Sequence, residues 1–115
     1  MAATRDDAML VVELSKLAAM SGLDEASRAI WADDFDPDTA DANDSAVQRI
    51  LYFYETVGTL VKNGLLDRDL VYDWLWAAGM WAKVGPAAER AREKAGVPEL
   101  FENFEALAAG QQLGG

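Results

Sequence analysis

The sequence contains no cysteine and no histidine among its 115 residues. Without cysteine the chain can form no disulfide, thiolate zinc site or thiol nucleophile, which favours a reducing compartment. Without histidine it lacks imidazole metal ligands and the usual general base near neutral pH. Catalysis would have to use carboxylates, lysine or tyrosine, and no spacing of these residues indicates it. The sequence therefore predicts a protein that is not an enzyme and needs no cofactor.

Positive charge is also scarce, because 10 basic residues stand against 20 acidic ones and the net charge is −10. Such a field repels phosphate backbones and anionic lipids, so we expect no binding to nucleic acid. A helix-turn-helix after Gly64 is not expected either, because Arg68 is the only base there before Lys83. The acidity also suits a high-salt cytoplasm, and the sequence leaves that explanation open.

Long apolar runs are missing as well. A membrane-spanning helix needs about 20 apolar residues, and no segment of the chain has them. The N-terminus is acidic where a secretory signal would be cationic. We therefore expect a cytoplasmic protein without membrane insertion. The length corresponds to one independently folding domain over residues 1–115.

Apolar residues recur at helical spacing and do not alternate as in strands, so the sequence predicts an all-α, single-domain bundle of about five to six helices. The first helix is predicted over residues 4–20 and the second over 24–31. The third is predicted over 45–63, with Gly64 closing it in a Schellman motif. The apolar stripe predicted to bury the first helix consists of Leu10, Leu14, Leu17 and Ala18.

The fourth helix is predicted from Arg68 to Val84. It is apolar nearly all round, which is typical of a helix at the centre of a bundle. Gly85-Pro86 is predicted to break the chain, so that a fifth helix spans residues 86–95. The sixth helix is predicted to fade into a flexible tail over residues 110–115.

An acidic segment over residues 33–44 predicts a loop, because its only charged residues are aspartates and it contains a proline. Asp34, Asp36 and Asp38 alternate as at the start of a calcium-binding EF-hand. Thr39 stands where that motif needs glycine, and Ser45 stands where it needs glutamate. A solvated loop is therefore the preferred interpretation, and a cation site is the weak alternative.

Five residues are candidate contacts of a ligand or a protein partner: Trp31, Tyr72, Asp73, Trp76 and Trp81. The aromatic residues can form a core, a core with an oligomer interface, or the wall of a pocket. Asp73 is the one charge inside an apolar stretch, and a buried unpaired carboxylate is costly. We expect it to pair with Arg90 or Arg92 or to be exposed, and a carboxylate presented in a pocket is the alternative.

Residues 50–108 carry a set of short motifs that resemble a bacterial family of unknown function, family DUF4760. The matching residues are Phe53 to Glu55, Lys62 to Asp67, Leu70 to Asp73, Trp81, Pro86, Arg90 or Arg92, and Asn103 to Leu107. Members that look like this often carry membrane helices before the module, whereas the first 45 residues here are acidic. The resemblance implies a self-contained helical module and no catalytic activity, cofactor or site.

The leading hypothesis is a non-enzymatic helical module for protein–protein interaction or self-association. Because 51% of this small chain is hydrophobic and four residues are tryptophan, apolar area should remain for a homodimer. One alternative is an acidic decoy that binds a nucleic-acid-binding protein, which would need acids fixed on a rigid face. Another is a small-molecule-binding domain that uses the tryptophan-rich helix and Asp73, which would need a pocket containing Asp73.

Overall fold

Six α-helices and no strand are found in the computed structural model, which describes residues 2–114 but not the side chains of 112–114. The all-α fold is confirmed, and the radius of gyration is 13.9 Å. No helix of the described chain is long and apolar enough to cross a membrane. The helices are α1 (Arg5–Met20), α2 (Leu23–Ile30), α3 (Ser45–Lys62), α4 (Arg68–Trp74), α5 (Ala77–Ala95) and α6 (Glu102–Gly114).

Helix α3 lies at the centre of the bundle and packs against α2, α5 and α6. Its inner stripe repeats every three to four residues, as expected for a helix with one buried face. Phe53 is also buried, and its ring meets Trp74 of α4 edge-on at 6.0 Å between centroids. The buried stripe consists of Val47, Ile50, Leu51, Tyr54, Val57 and Gly58.

The connection from α3 to α4 has the predicted geometry. The Leu65 backbone N–H donates to the Leu60 carbonyl at 2.9 Å, and Gly64 has a φ of 72°. These are the features of a Schellman motif, in which glycine adopts the left-handed conformation without a steric penalty. The Asp67 side chain accepts a hydrogen bond from the Leu70 backbone N–H and caps α4. The turn therefore follows from residues that are near neighbours in sequence.

The prediction of one central helix from Arg68 to Val84 is wrong. The chain leaves helical geometry at Leu75, which has an extended backbone with a φ of −125° and a ψ of 141°. The side chain of Gln111 in α6 compensates for the break: its Nε2 donates to the Leu75 carbonyl at 3.1 Å, and its Oε1 accepts from the Ala78 N–H at 2.9 Å. The polar groups exposed by the break thus gain partners, and α3 takes the central position.

The helix break predicted at Gly85-Pro86 is also wrong, since α5 continues through Pro86 to Ala95. Pro86 has no N–H and cannot bond to the carbonyl of Ala82. Ala82 lies on the exposed side of α5. Gly85 is buried, and a Cβ there would lie 3.0 Å from the Trp81 ring, so this glycine serves close packing rather than a turn. The helix predicted over 86–95 is the second half of α5.

Helix α6 does not end at Gly110, where the tail over residues 110–115 was expected to begin. Gly110 and Gln111 are helical, and the helix reaches Gly114. A Cβ at Gly110 would lie 2.5 Å from Tyr72 Oη, and Gln111 bonds to the break between α4 and α5. This part of α6 is therefore packed against α4, whereas Gly115 lies outside the described residues.

Helices α3 and α6 are packed closely at Gly58, where a Cβ would lie 2.5 Å from the Asn103 carbonyl oxygen. We expect Gly58→Ala to lower the free energy of unfolding by about 2 kcal/mol, because the clash outweighs the roughly 1 kcal/mol by which alanine favours a helix. Urea denaturation measures this. The control Gly96→Ala, at a φ of 69° with nothing within 4 Å, should lose only about 1 kcal/mol. Equal losses of unfolding free energy in the two variants would contradict the close approach of α3 and α6 at Gly58.

Because of Tyr54, the free energy of unfolding should fall as the pH rises above about 10. Burial raises its pKa to about 12, against about 10 in an unfolded chain. The neutral phenol therefore stabilises the fold below pH 10, and this contribution falls by about 1.4 kcal/mol per pH unit between pH 10 and 12. We expect Tyr54→Phe to reduce the alkaline loss of stability, measured by urea denaturation at several pH values. Tyr52→Phe, at an exposed position, should retain the wild-type loss.

Candidate interaction surfaces

Two of the five candidate contact residues, Tyr72 and Trp81, are half-buried and held within the bundle. Tyr72 Oη donates to the Leu107 carbonyl at 2.8 Å and so joins α4 to α6. Burial raises the pKa of Tyr72. The rings of Trp81 and Phe104 meet edge to face with their centroids 4.9 Å apart, and the Arg92 guanidinium carbon lies 5.7 Å from the Trp81 ring centroid. Both side chains therefore support the fold.

The two other candidate aromatic residues, Trp31 and Trp76, form a stack at the surface. Their ring centroids are 5.4 Å apart and their planes differ by 5°. Trp31 is 43% exposed and Trp76 is 63% exposed. Gly79 leaves room for Trp76, because a Cβ there would lie 2.4 Å from the indole, and the Lys83 Nζ lies 5.1 Å from the Trp31 centroid. The stack is an exposed aromatic patch with a cation beside it.

Asp73 is exposed and forms no salt bridge with the described residues. The two arginines predicted as its alternative partners have other contacts. Arg90 donates to a loop carbonyl, that of Pro37, at 2.9 Å. Arg92 Nη2 lies 2.8 Å from Glu105 Oε1. Of the two alternatives predicted for Asp73, the ion pair is not found among the described residues and the exposed position is confirmed.

A hollow of about 510 Å³ lies between the acidic loop, α3, α5 and the segment just before α6. Neither Asp73 nor any tryptophan lines it, so the geometry does not favour a ligand site built from those residues. This hollow could not be predicted from the sequence, because four separate segments form it. Its lining residues are Thr39, Ala40, Asp41, Ala42, Asn43, Tyr52, Ala87, Arg90, Ala91, Lys94, Ala95, Leu100 and Phe101.

The weak candidate cation ligands Asp34, Asp36 and Asp38 lie in the loop between α2 and α3 and are exposed. Asp36 Oδ1 accepts a hydrogen bond from the Asp38 backbone N–H at 2.9 Å, so this carboxylate binds the loop itself. Within residues 2–114 no three acidic side chains are grouped as metal ligands. Arg90 holds the loop in place through the Pro37 carbonyl. The geometry thus shows an ordered acidic loop without converging carboxylates.

Helix α1 exposes apolar side chains that the predicted single stripe does not include. Leu14 is its one buried residue, and Leu17, predicted on the buried stripe, is half exposed. Met9, Val12 and Met20 indicate this second side through their helical spacing, which sequence reasoning overlooked. The exposed fractions are 61% for Met9, 53% for Val12, 52% for Leu17 and 85% for Met20.

Because Asp73 is solvated and unpaired, we expect Asp73→Asn to change the free energy of unfolding by less than about 0.5 kcal/mol. Arg92→Ala is the comparison, since Arg92 also donates to the Leu100 carbonyl at 2.7 Å. It should cost about 2 kcal/mol through the loss of charge-assisted hydrogen bonds. Urea denaturation measures both variants. A loss of about 3 kcal/mol in Asp73→Asn would mean that the carboxylate is paired or buried.

Comparison with known proteins identifies a family. The chain matches the family model of DUF4760, a domain of unknown function, over residues 1–111. This match is wider than the resemblance over residues 50–108 and includes the acidic N-terminal part. No curated protein and no solved structure matches the chain. The chain therefore belongs to the DUF4760 family.

Proposed function

We propose that this chain is a non-enzymatic helical module for protein–protein interaction that forms a homodimer. It acts in the bacterial cytoplasm and binds neither a cofactor nor nucleic acid. The observation that carries this proposal is the exposed apolar surface, which is concentrated on α1 and at the tryptophan stack. Exposed groups of large apolar side chains are typical of surfaces that bind other proteins, where tryptophan and methionine are enriched.

The two alternative functions have less support from the geometry. A small-molecule site with Asp73 and the tryptophans would need them around one hollow, and the hollow beside the acidic loop contains none of them. An acidic decoy would present its carboxylates outward from a rigid face. Arg90 does hold the loop, yet Asp36 bonds to the loop backbone. The decoy function stays a prediction.

The net charge of −10 opposes contact between two copies. Salt weakens this repulsion, because the screening length falls from about 30 Å at 0.01 M to about 8 Å at 0.15 M ionic strength. Apolar contact is not weakened by salt in this range. The proposed dimer should therefore become more stable as potassium chloride is added up to physiological strength.

We expect sedimentation equilibrium to show a reversible monomer–dimer equilibrium between about 1 μM and 1 mM protein. The dimer fraction should rise with potassium chloride, because salt screens the repulsion between two acidic copies. Leu65→Ser is the control, because Leu65 is an exposed apolar residue outside α1 and outside the tryptophan stack. This variant should show the same average molecular mass as the wild type at each concentration. A monomeric mass at every concentration and at physiological salt would contradict self-association.

A further inference from the structure

The outer side of α1 carries a regular row of exposed residues. Met9, Glu13, Lys16 and Met20 are separated by four, three and four positions, which places them along one line of a helix. Glu13 and Lys16 have side chains 68% and 64% exposed, and their charged atoms lie 3.1 Å apart. Val12 flanks this row on one side and Leu17 flanks it on the other. We call these six residues the outer face of α1.

The outer face is symmetric in its chemistry about the point between Leu14 and Ser15. At equal distances from this point, Met9 matches Met20, and Val12 matches Leu17. At the closest pair of positions, acidic Glu13 matches basic Lys16. Apolar residues are thus paired with apolar residues, and a negative charge is paired with a positive one.

A two-fold axis through that point would pair the outer face with its own copy in antiparallel orientation. Met9 would then lie level with Met20 of the second copy, and Glu13 would lie level with Lys16. A parallel arrangement would instead place Glu13 against Glu13 and Lys16 against Lys16, which is repulsive. The charge pattern therefore selects a second copy as the occupant and fixes its direction.

We propose that two copies of the chain pack through the outer faces of α1, antiparallel, about a two-fold axis between Leu14 and Ser15. This proposal rests on the proposed self-association and names its surface. The charges of Glu13 and Lys16 gain partners on the second copy. The free-energy cost of desolvating them is small, because their long side chains keep the charged groups near solvent. The contact is small, so the dimer is of the weak, reversible class.

Charge exchange tests the pairing. Glu13→Lys alone places lysine opposite lysine at both pairs of positions 13 and 16 in the dimer, and Lys16→Glu alone places glutamate opposite glutamate at both. Each should raise the dimer dissociation constant by about tenfold. The double variant Glu13→Lys/Lys16→Glu restores opposite charges and should return near the wild-type constant. A mixture of the two single variants should form the mixed dimer in preference to either homodimer.

The chain offers a matched control on α2, where Asp24 and Arg28 form a similarly exposed ion pair at 3.1 Å. Asp24→Lys changes the net charge as Glu13→Lys does, and Arg28→Glu changes it as Lys16→Glu does. Neither control should weaken the dimer by a similar factor. Circular dichroism checks that every variant stays helical, so that unfolding is not mistaken for loss of contact.

Cross-linking tests the antiparallel direction independently, because the chain has no cysteine of its own. In the proposed dimer a residue at position 9 lies next to position 20 of the other copy, but about 16 Å along the helix from its own copy. A disulfide needs Cα atoms within about 7 Å. A mixture of Met9→Cys and Met20→Cys should therefore cross-link on oxidation, and neither variant alone should do so.

Three results would overturn the pairing. Cross-linking of Met9→Cys with itself would indicate a parallel contact. A dimer that is insensitive to the charge exchanges but lost in Trp76→Ser would place the contact at the tryptophan stack, and self-association would stand. A wild-type chain that stays monomeric would remove both the pairing and the proposed function.

Discussion

Glu55 of α3 holds the start of α6, and the arrangement of the core depends on this contact. Its Oε1 accepts hydrogen bonds from the backbone N–H groups of Asn103 at 3.0 Å and Phe104 at 2.9 Å. Its Oε2 accepts from Asn103 Nδ2 at 2.9 Å. The carboxylate thus satisfies N–H groups that a helix start leaves unpaired, and it lies at the positive end of the helix dipole. Phe104 is fixed between Tyr54 and Trp81, with ring centroids 4.9 Å from each.

The residues that carry the family resemblance are explained largely by the fold. Glu55 and Asn103 are 48 positions apart and belong to two separate motifs, which the structure joins in one contact. Asp67 caps α4, and Tyr72 ties α4 to α6. Phe101, just before α6, has a φ of 60°, a conformation that costs energy for a residue with a side chain. The hydrogen bonds of Glu55 to α6 offset that cost. Contacts within the fold thus account for Glu55, Asp67, Tyr72 and Asn103 in these motifs.

The sequence predicts those features that depend on near neighbours. The left-handed Gly64 predicted at the end of α3 is present, and the Thr4 and Asp7 capping box and the Asp67 cap likewise join residues only three positions apart. The break at Leu75 could not be predicted in this way, since its partner Gln111 is 36 positions away in α6. The exposure of the outer face of α1 likewise depends on which side of α1 packs against α2. The sequence has apolar residues on both sides of α1, so it does not show which side is covered. Local chemistry therefore determined the turns, while long-range contacts determined the broken helix and the surfaces.

Folding alone does not account for the apolar residues on the outer face of α1. Met20 is 85% exposed and gains almost nothing from burial within the monomer. The ion pair of Glu13 and Lys16 is also exposed, and such pairs contribute little within one chain. Helix α1 is held to the bundle by buried Leu14, by the partly buried Leu10, Val11 and Ala18, and by Asp7 Oδ1, which accepts from the Asp67 N–H at 3.0 Å. A second copy on the outer face would bury this side and, by binding only the folded form, would stabilise a helix that has one buried residue of its own. Self-association would then contribute to the fold as well as to function.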